Sequence, residues 1–444
     1  MKKVVKRKSK KRRLNFQKIF NLLSFTFLLS CIIFYGSRFI KLYLENNKTE
    51  ESKLLGDIIK ENNELNNVNN EYYYFTGEDP NNYLKYSNLL FRIIKVNKDK
   101  TVTAVLNNSI TSLAAGSHKD FTSSYINMWL NSSDKEYTGI LENNLNNPKD
   151  YLTFTNSCID EVNDIKSVSC KNTLEDIYIT TPSVYDYVNT DGQKGFMNNE
   201  EAFYLLNNNK DNDTWYIDSE GLIKESDGTD IIGIKPVITI KSNLDLVSGD
   251  GTKDNPYTIE NDTNMLGAYI SLGNDLWRVY SIEDNDLKLS LNNYLTIDNK
   301  EVEKTYSNNG YKHNDTVYGS LAYYLNNNYL NTLSYKNIIK ESNYPNGIYS
   351  NVTNFDYTKV LSSTVPTKIA TLSIGDIILN PTLTNYFTTT GLDKTSSNVY
   401  IFKNDFTMVT KPSTTSLNIV PTITISKDSI TTGEGTKESP YEVK

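Results

Sequence analysis

The sequence is poor in the residues that most often do chemistry. Its 444 residues include two histidines, His118 and His313, and three cysteines, Cys31, Cys158 and Cys170. So little histidine excludes a His-rich zinc site and argues against a Ser-His-Asp triad. The chain has no P-loop, no dinucleotide-binding glycine pattern, no Gly-x-Ser-x-Gly and no His-Glu-x-x-His. Arginine is also scarce: beyond residue 44 only Arg92 and Arg278 occur. What is present suffices for packed cores, with 38% hydrophobic and 11% aromatic residues, so the chain is not wholly disordered. At about 150 residues per domain the length allows two or three domains.

The net charge of −7 hides an asymmetry. Residues 1–44 hold twelve Lys or Arg and no Asp or Glu, which leaves 34 of the 46 basic residues against all 53 acidic ones, a net of −19. The large anionic part is a poor partner for nucleic acid, which needs clustered Lys and Arg. Sugars, peptides, cations and other proteins stay open.

Residues 1–18 read as a basic cytoplasmic tail. The nineteen residues Ile19–Ser37 carry no charge. As a helix they reach about 28 Å, close to the thickness of a bilayer core. More basic residues precede the span than follow it (Arg38 and Lys41), so the N-terminus belongs in the cytoplasm and the acidic bulk outside. The expectation is a single-pass signal-anchor in the cell membrane. A cleaved signal peptide would need a small-residue cleavage site, and none is clear. Leu28-Leu29-Ser30-Cys31 resembles a lipobox loosely, but the apolar Ile32 to Tyr35 after it make a poor tether. Residues 45–71 are polar and Asn-rich. Leu55, Ile58, Asn62 and Leu65 fall at heptad spacing there, and the segment reads as a stalk or spacer.

The strongest organisational signal is an internal repeat. Asn88-Leu-Leu-Phe91-Arg92-Ile93 is matched by Asn274-Asp-Leu-Trp277-Arg278-Val279, and each leads on to Leu-Asn-Asn at 106–108 and 291–293. Met128-Trp129-Leu130-Asn131 is matched by Tyr323-Tyr324-Leu325-Asn326. Lys235-Pro236-Val237-Ile238-Thr239-Ile240 followed by Gly249 to Tyr257 is matched by Val420-Pro421-Thr422-Ile423-Thr424-Ile425 followed by Gly433 to Tyr441. The offset stays between 184 and 195 residues. Two tandem domains follow, 72–262 and 263–444, each large enough for its own core. In the closing block Gly251 and Gly435 permit positive φ. Pro256 and Pro440 keep the preceding residue extended, and Tyr257 and Tyr441 bury a ring, which together suit a final hairpin. Ile234–Ile240 and Ile419–Ile425 read as strands, Ser123–Leu130 and Tyr318–Leu325 as short helices. The fold class expected is α+β, mostly antiparallel sheet with short helices, preceded by one transmembrane helix.

Several constellations invite a functional reading beside a structural one. Arg92 and Arg278 occupy equivalent positions in a part of the chain that otherwise uses lysine, which suggests a need for the planar fork. It serves either a partly buried ion pair or a ligand. Cys158 and Cys170 suit a structural disulfide outside the cell. Trp129 and Trp277 align with Tyr324 and Phe91, which favours core packing for all four. Trp215 aligns with Val399 and is the best candidate for an exposed, sugar-stacking ring. Asn209-x-Asp211-x-Asp213 with Glu220 loosely mimics a calcium loop, but Thr214 stands where the turn needs glycine. Asp218, Asp227 and Asp230 lie close by. No metal is called for, and calcium is the one cofactor these acidic loops leave open. No acidic pair is singled out for glycosidase chemistry.

The blocks resemble an uncharacterised domain of Firmicute- and Mollicute-type cell-surface proteins. That domain starts with Trp-Arg-Val, carries Trp-Leu-Asn and ends with Arg-Pro-Val-Ile and Gly-x-Gly-Thr-x-x-Asn-Pro-Tyr. The matching residues are Phe91-Arg92-Ile93, Trp129-Leu130-Asn131, Lys235 to Ile238 and Gly249 to Tyr257, then Trp277-Arg278-Val279, Tyr324-Leu325-Asn326, Val420-Pro421 and Gly433 to Tyr441. Lys235 and Val420 depart from the Arg of that pattern. The resemblance implies a surface domain with no activity to carry over, and its ending is similar to the last strands of C-type-lectin-like domains. The function expected is non-catalytic binding or adhesion to glycan, peptidoglycan or protein outside the cell. A glycan or cell-wall hydrolase and a structural scaffold of an envelope complex are the alternatives.

Overall fold

Pro236-Val-Ile-Thr-Ile and Pro421-Thr-Ile-Thr-Ile each place β-branched residues on both faces of a strand, and both strands lie inside sheets. Val237–Ile240 pairs antiparallel with Val102–Leu106, and Pro421–Ser426 with Asp286–Leu291. The computed structural model describes residues 54–116, 120–133, 140–260, 264–308, 312–349, 363–393 and 397–444, with Tyr35, Gly36 and Arg38. Apart from Tyr35 and Gly36 the expected span Ile19–Ser37 lies outside the described residues, as do the tail 1–18 and His118. Among the described residues no helix is long and apolar enough to cross a membrane.

The recurring sequence blocks occupy matching strands. In the first sheet the order runs Tyr257–Thr258, Tyr83–Tyr86, Leu89–Asn97, Val102–Leu106, Val237–Ile240, then Ile179–Thr180. In the second it runs Tyr441–Glu442, Tyr269–Leu272, Asp275–Glu283, Asp286–Leu291, Pro421–Ser426, then Ile369–Thr371. A β-bulge falls at the same place in both, between Ile93 and Lys95 and between Val279 and Ser281. Such a bulge bends the strand and re-aims the side chains beside it, here just after Arg92 and Arg278. Beyond each main sheet lies a meander. Phe203–Asn208, Thr214–Ile217 and Ile223–Ser226 form the first, and Phe387–Gly391, Asn398–Phe402 and Met408–Pro412 the second. The whole is mostly antiparallel sheet with a few short helices, as expected of the α+β class.

The closing block does more than turn. Its outgoing strand lies parallel on Tyr83–Tyr86 in the first copy and on Tyr269–Leu272 in the second, Tyr257 beside Leu84 and Tyr441 beside Ile270. Gly251 and Gly435 have φ of +84° and +72°, and a Cβ there would stand 2.4 and 2.5 Å from the rings of Tyr257 and Tyr441. Their carbonyls accept from Tyr83 N and Tyr269 N at 2.8 Å. Glycine is needed both for the backbone angle and for the space. Of the helices, Tyr125–Asn131 is capped by Ser124, and the run from Leu321 to Thr332 by Ser320, each hydroxyl accepting a main-chain N–H at 3.0 Å.

Two expectations are corrected. The stretch 54–71 is no spacer: Leu55–Asn62 is a helix that buries Leu55 and Ile59, and Asn66–Val68 pairs with Tyr72–Tyr74. The apolar positions of that helix meet the sheet, so the heptad pattern serves the core rather than a coiled coil. The two copies also do not keep wholly separate cores. Leu372, Ile374, Ile377, Phe402 and Phe406 from the second copy join the main hydrophobic cluster of the first. Trp129 Nε1 donates to Gly375 O at 2.9 Å, Thr111 Oγ1 to Asp376 O at 2.8 Å and Ser112 Oγ to Phe406 O at 2.7 Å. Residues Leu54–Lys444 accordingly form one compact unit.

Candidate functional site

The two equivalent arginines have different surroundings. Arg92 is buried. Its Nε donates to Asn82 Oδ1 at 2.5 Å, Nη1 to Tyr83 Oη at 2.8 Å, and Nη2 to Asp79 Oδ1 and Pro80 O at 3.2 Å each. A guanidinium so enclosed is a structural fastener, which corrects its candidacy for ligand binding. Arg278 is only half-buried. Its Nε and Nη2 donate to Gly267 O at 3.2 Å, its Nη1 to Leu379 O at 2.6 Å, and it stands 4.8 Å from the centre of the Tyr269 ring. Burial pushes its pKa down, and among the described residues no carboxylate pairs with it. The cause is legible in the repeat: Asp79 and Asn82 correspond to Met265 and Ala268, so the second copy lacks both side-chain partners.

Arg278 borders two openings. One, of about 230 Å³, is lined by Asn88, Leu90, Leu106, Asn107 and Asn108, with Leu379 and Pro381. The other, of about 310 Å³, includes Tyr269, Glu434, Lys437 and Tyr441. The second sheet has a cleft of about 460 Å³ at the place equivalent to the first opening, lined by Asn274, Leu276, Leu291 and Asn293. The recurring Asn-x-Leu and Leu-Asn-Asn residues therefore line a cleft in both copies. The second cleft is acidic, with Asp275 and Glu301. Tyr335 Oη donates to Asp275 Oδ2 at 2.5 Å and Asn418 Nδ2 to Glu301 Oε2 at 3.0 Å.

The remaining candidates are structural. Trp215 is buried, and its Nε1 donates to Val162 O at 3.0 Å. It anchors the loop between Cys158 and Cys170 instead of offering a stacking face, which corrects its candidacy as an exposed ring. Trp129, Trp277 and Phe91 are fully buried, as expected of core aromatics. Tyr324 is half-buried with Lys304 Nζ 4.5 Å from its ring centre. Pro236 and Pro421 are buried where their strands begin. Pro256 and Pro440 sit in the closing turns, with their carbonyls against Gly249 and Gly433. Cys158 and Cys170 stand at disulfide distance, with Cα atoms 5.4 Å apart. The calcium-like run is a hairpin turn: Asn209 Oδ1 accepts from the backbone of Asp211 and Asp213 at 2.9 Å. Among the described residues no group of three or more His, Cys, Asp or Glu side chains is placed to hold a metal ion.

Sequence reading missed three buried polar groups. Lys95 Nζ lies 2.7 Å from Asp186 Oδ1 with both side chains wholly buried, and Tyr74 Oη donates to the same oxygen at 2.8 Å. Lys235, Asn199 and Glu201 meet beneath the first cleft. Asp376 is buried between the copies, and burial raises its carboxyl to about 6. A recurring Ser-x-x-Asp, Ser183 to Asp186 and Ser373 to Asp376, was the available signal for two of these. No family model, no curated protein and no solved structure matches the chain.

Proposed function

We propose that this chain is a membrane-anchored cell-surface protein that binds an envelope ligand, glycan, peptidoglycan or protein, without transforming it. The observation that carries the reading is the pair of clefts lined by the recurring blocks, one bordered by a guanidinium that among the described residues has no carboxylate partner. Three of the five N–H donors of Arg278 go to main-chain carbonyls, which leaves two for an anionic group. The basic tail, the uncharged run Ile19–Ser37 and the acidic remainder support anchoring with the bulk outside. The Cys158–Cys170 pair suits an oxidising compartment. The surface-domain resemblance and its lectin-like analogy agree with this reading.

The test is retention of the full chain, solubilised in detergent, on glycan and peptidoglycan matrices. Arg278→Ala should abolish retention and Arg92→Lys should spare it if the variant folds. Absence of retention of the wild type on every envelope polymer would count decisively against envelope-glycan binding. Protease added to intact cells should remove the bulk of the chain, and full protection would reverse the topology. Asp275 and Glu301 in the larger cleft favour a hydrolase as the second reading. Release of soluble sugar from the retained polymer, lost in Asp275→Asn, would establish it.

A further inference from the structure

Lysine is chemically distinct from arginine in one respect that matters when it is buried: once neutral, its amine is a nucleophile. Lys235 is 1% exposed, on the segment that leads into the strand Val237–Ile240. Its Nζ donates to Asn199 Oδ1 at 2.7 Å and lies 3.7 Å from Glu201 Oε2. Met197 O accepts from it at 3.3 Å, and the ring of Phe203 is centred 4.5 Å away. A buried amine and a buried carboxylate thus meet a half-buried carboxamide. Glu201 is buried too, and is held by Asn108 Nδ2 at 2.6 Å and by the backbone N–H of Ser109 at 2.7 Å. Asn199 Nδ2 donates to Asn107 O at 2.9 Å, which fixes the plane of the amide.

We propose that Lys235 and Asn199 are joined by an intramolecular isopeptide bond, formed within the folded chain with Glu201 as proton carrier. The neutral amine of Lys235 attacks Cγ of Asn199. Glu201 takes a proton from the attacking nitrogen and delivers it to Nδ2, and the Cγ–Nδ2 bond breaks. Side-chain amide and amine become one secondary amide plus ammonia. No oxidant, reductant or further reactant is required. Two conditions are met. Burial lowers the Lys235 pKa to about 8, against the opposing pull of Glu201, so an appreciable neutral fraction exists near neutral pH. The reacting groups are held in contact, which supplies the effective concentration that an unactivated amide needs. Asn107, whose carbonyl holds the leaving nitrogen, lines the cleft beside Arg278, an exit for ammonia. The second copy has Val420 in place of Lys235 and forms no such bond.

The experiment is mass spectrometry of the full chain after reduction and denaturation, followed by proteolysis. The expected result is a mass one ammonia below that of the sequence and a branched peptide joining the Asn199 and Lys235 segments. Lys235→Arg and Asn199→Ala should restore the full mass, and Glu201→Gln should leave most of the chain unlinked. Separate linear peptides from the wild-type chain, with Lys235 free to be acylated after unfolding, would overturn the proposal. So would an unchanged mass deficit in Lys235→Arg. The wild-type measurement decides the matter even if a variant fails to fold.

Discussion

Arg92 and Arg278 precede the same β-bulge on equivalent strands, yet one is fastened to Asp79 and the other, among the described residues, to main-chain carbonyls. The backbone site is duplicated and its electrostatic partner is not. A lost carboxylate converts a structural arginine into a cation with donors to spare.

This difference predicts unequal costs. Arg92→Ala strands Asn82 and Tyr83 in the interior and should cost about 3 kcal/mol. Arg278→Ala removes a half-buried group held by carbonyls and should cost roughly 1 kcal/mol. Urea unfolding of the two variants checks this, and equal losses would contradict the asymmetry.

Two buried groups should oppose each other in acid. The carboxyl of Asp376 is raised from 3.8 to about 6, by burial first, against the N–H of Ser373 and the field of Lys288, with Glu283 adding to the rise. The folded state therefore favours its protonated form. Its contribution is complete below pH 3.8 and is lost as pH rises to about 6. His313 is lowered from 6.5 to about 4 by burial, so its contribution is present at neutral pH and is lost as pH falls through that window. Each is worth roughly 3 kcal/mol. Asp376→Asn should therefore expose a steeper loss of stability on acidification than the wild type shows, followed by unfolding midpoints from pH 7 to 4. Parallel curves for the two proteins would refute the assignment.

Reduction of Cys158–Cys170 should cost about 3 kcal/mol in the loop-entropy picture. It should also shift the fluorescence of Trp215, whose indole N–H holds Val162 inside that loop. An unmoved Trp215 emission on reduction would show that the loop keeps its place without the bridge.

The pair Lys95 and Asp186 is wholly buried. Asp186→Ala should destabilise by about 3–5 kcal/mol because it leaves an unpaired ammonium inside. Lys95→Met with Asp186→Leu should recover much of that loss, and a double variant no better than Asp186→Ala would show that Tyr74 and Ser183 need the carboxylate.

Much of the sheet architecture was legible because β-branched runs, turn glycines and the repeat spacing are local signals. The strands around Val237 and Thr422 and the buried rings of Trp129 and Trp277 follow from them, and the short helices from apolar residues three and four apart. The burial of Trp215 is not legible in the sequence, because an indole looks the same there whether its N–H meets water or a carbonyl 53 residues away. The apolar spacing of the helix Leu55–Asn62 suits packing on a sheet as well as on a second helix, so the sequence alone does not separate stalk from core.

Charge asymmetry, the paired blocks and the arginine-for-lysine choice are written along the chain, and each survives without knowledge of contacts. Only the tertiary structure decided which arginine is enclosed, that the second copy lends Ile374 and Phe406 to the first copy's core, and that Lys235 meets Asn199. Burial and partnership are properties of residues distant in sequence, and hydrophobic pattern carries the first only in part and the second not at all.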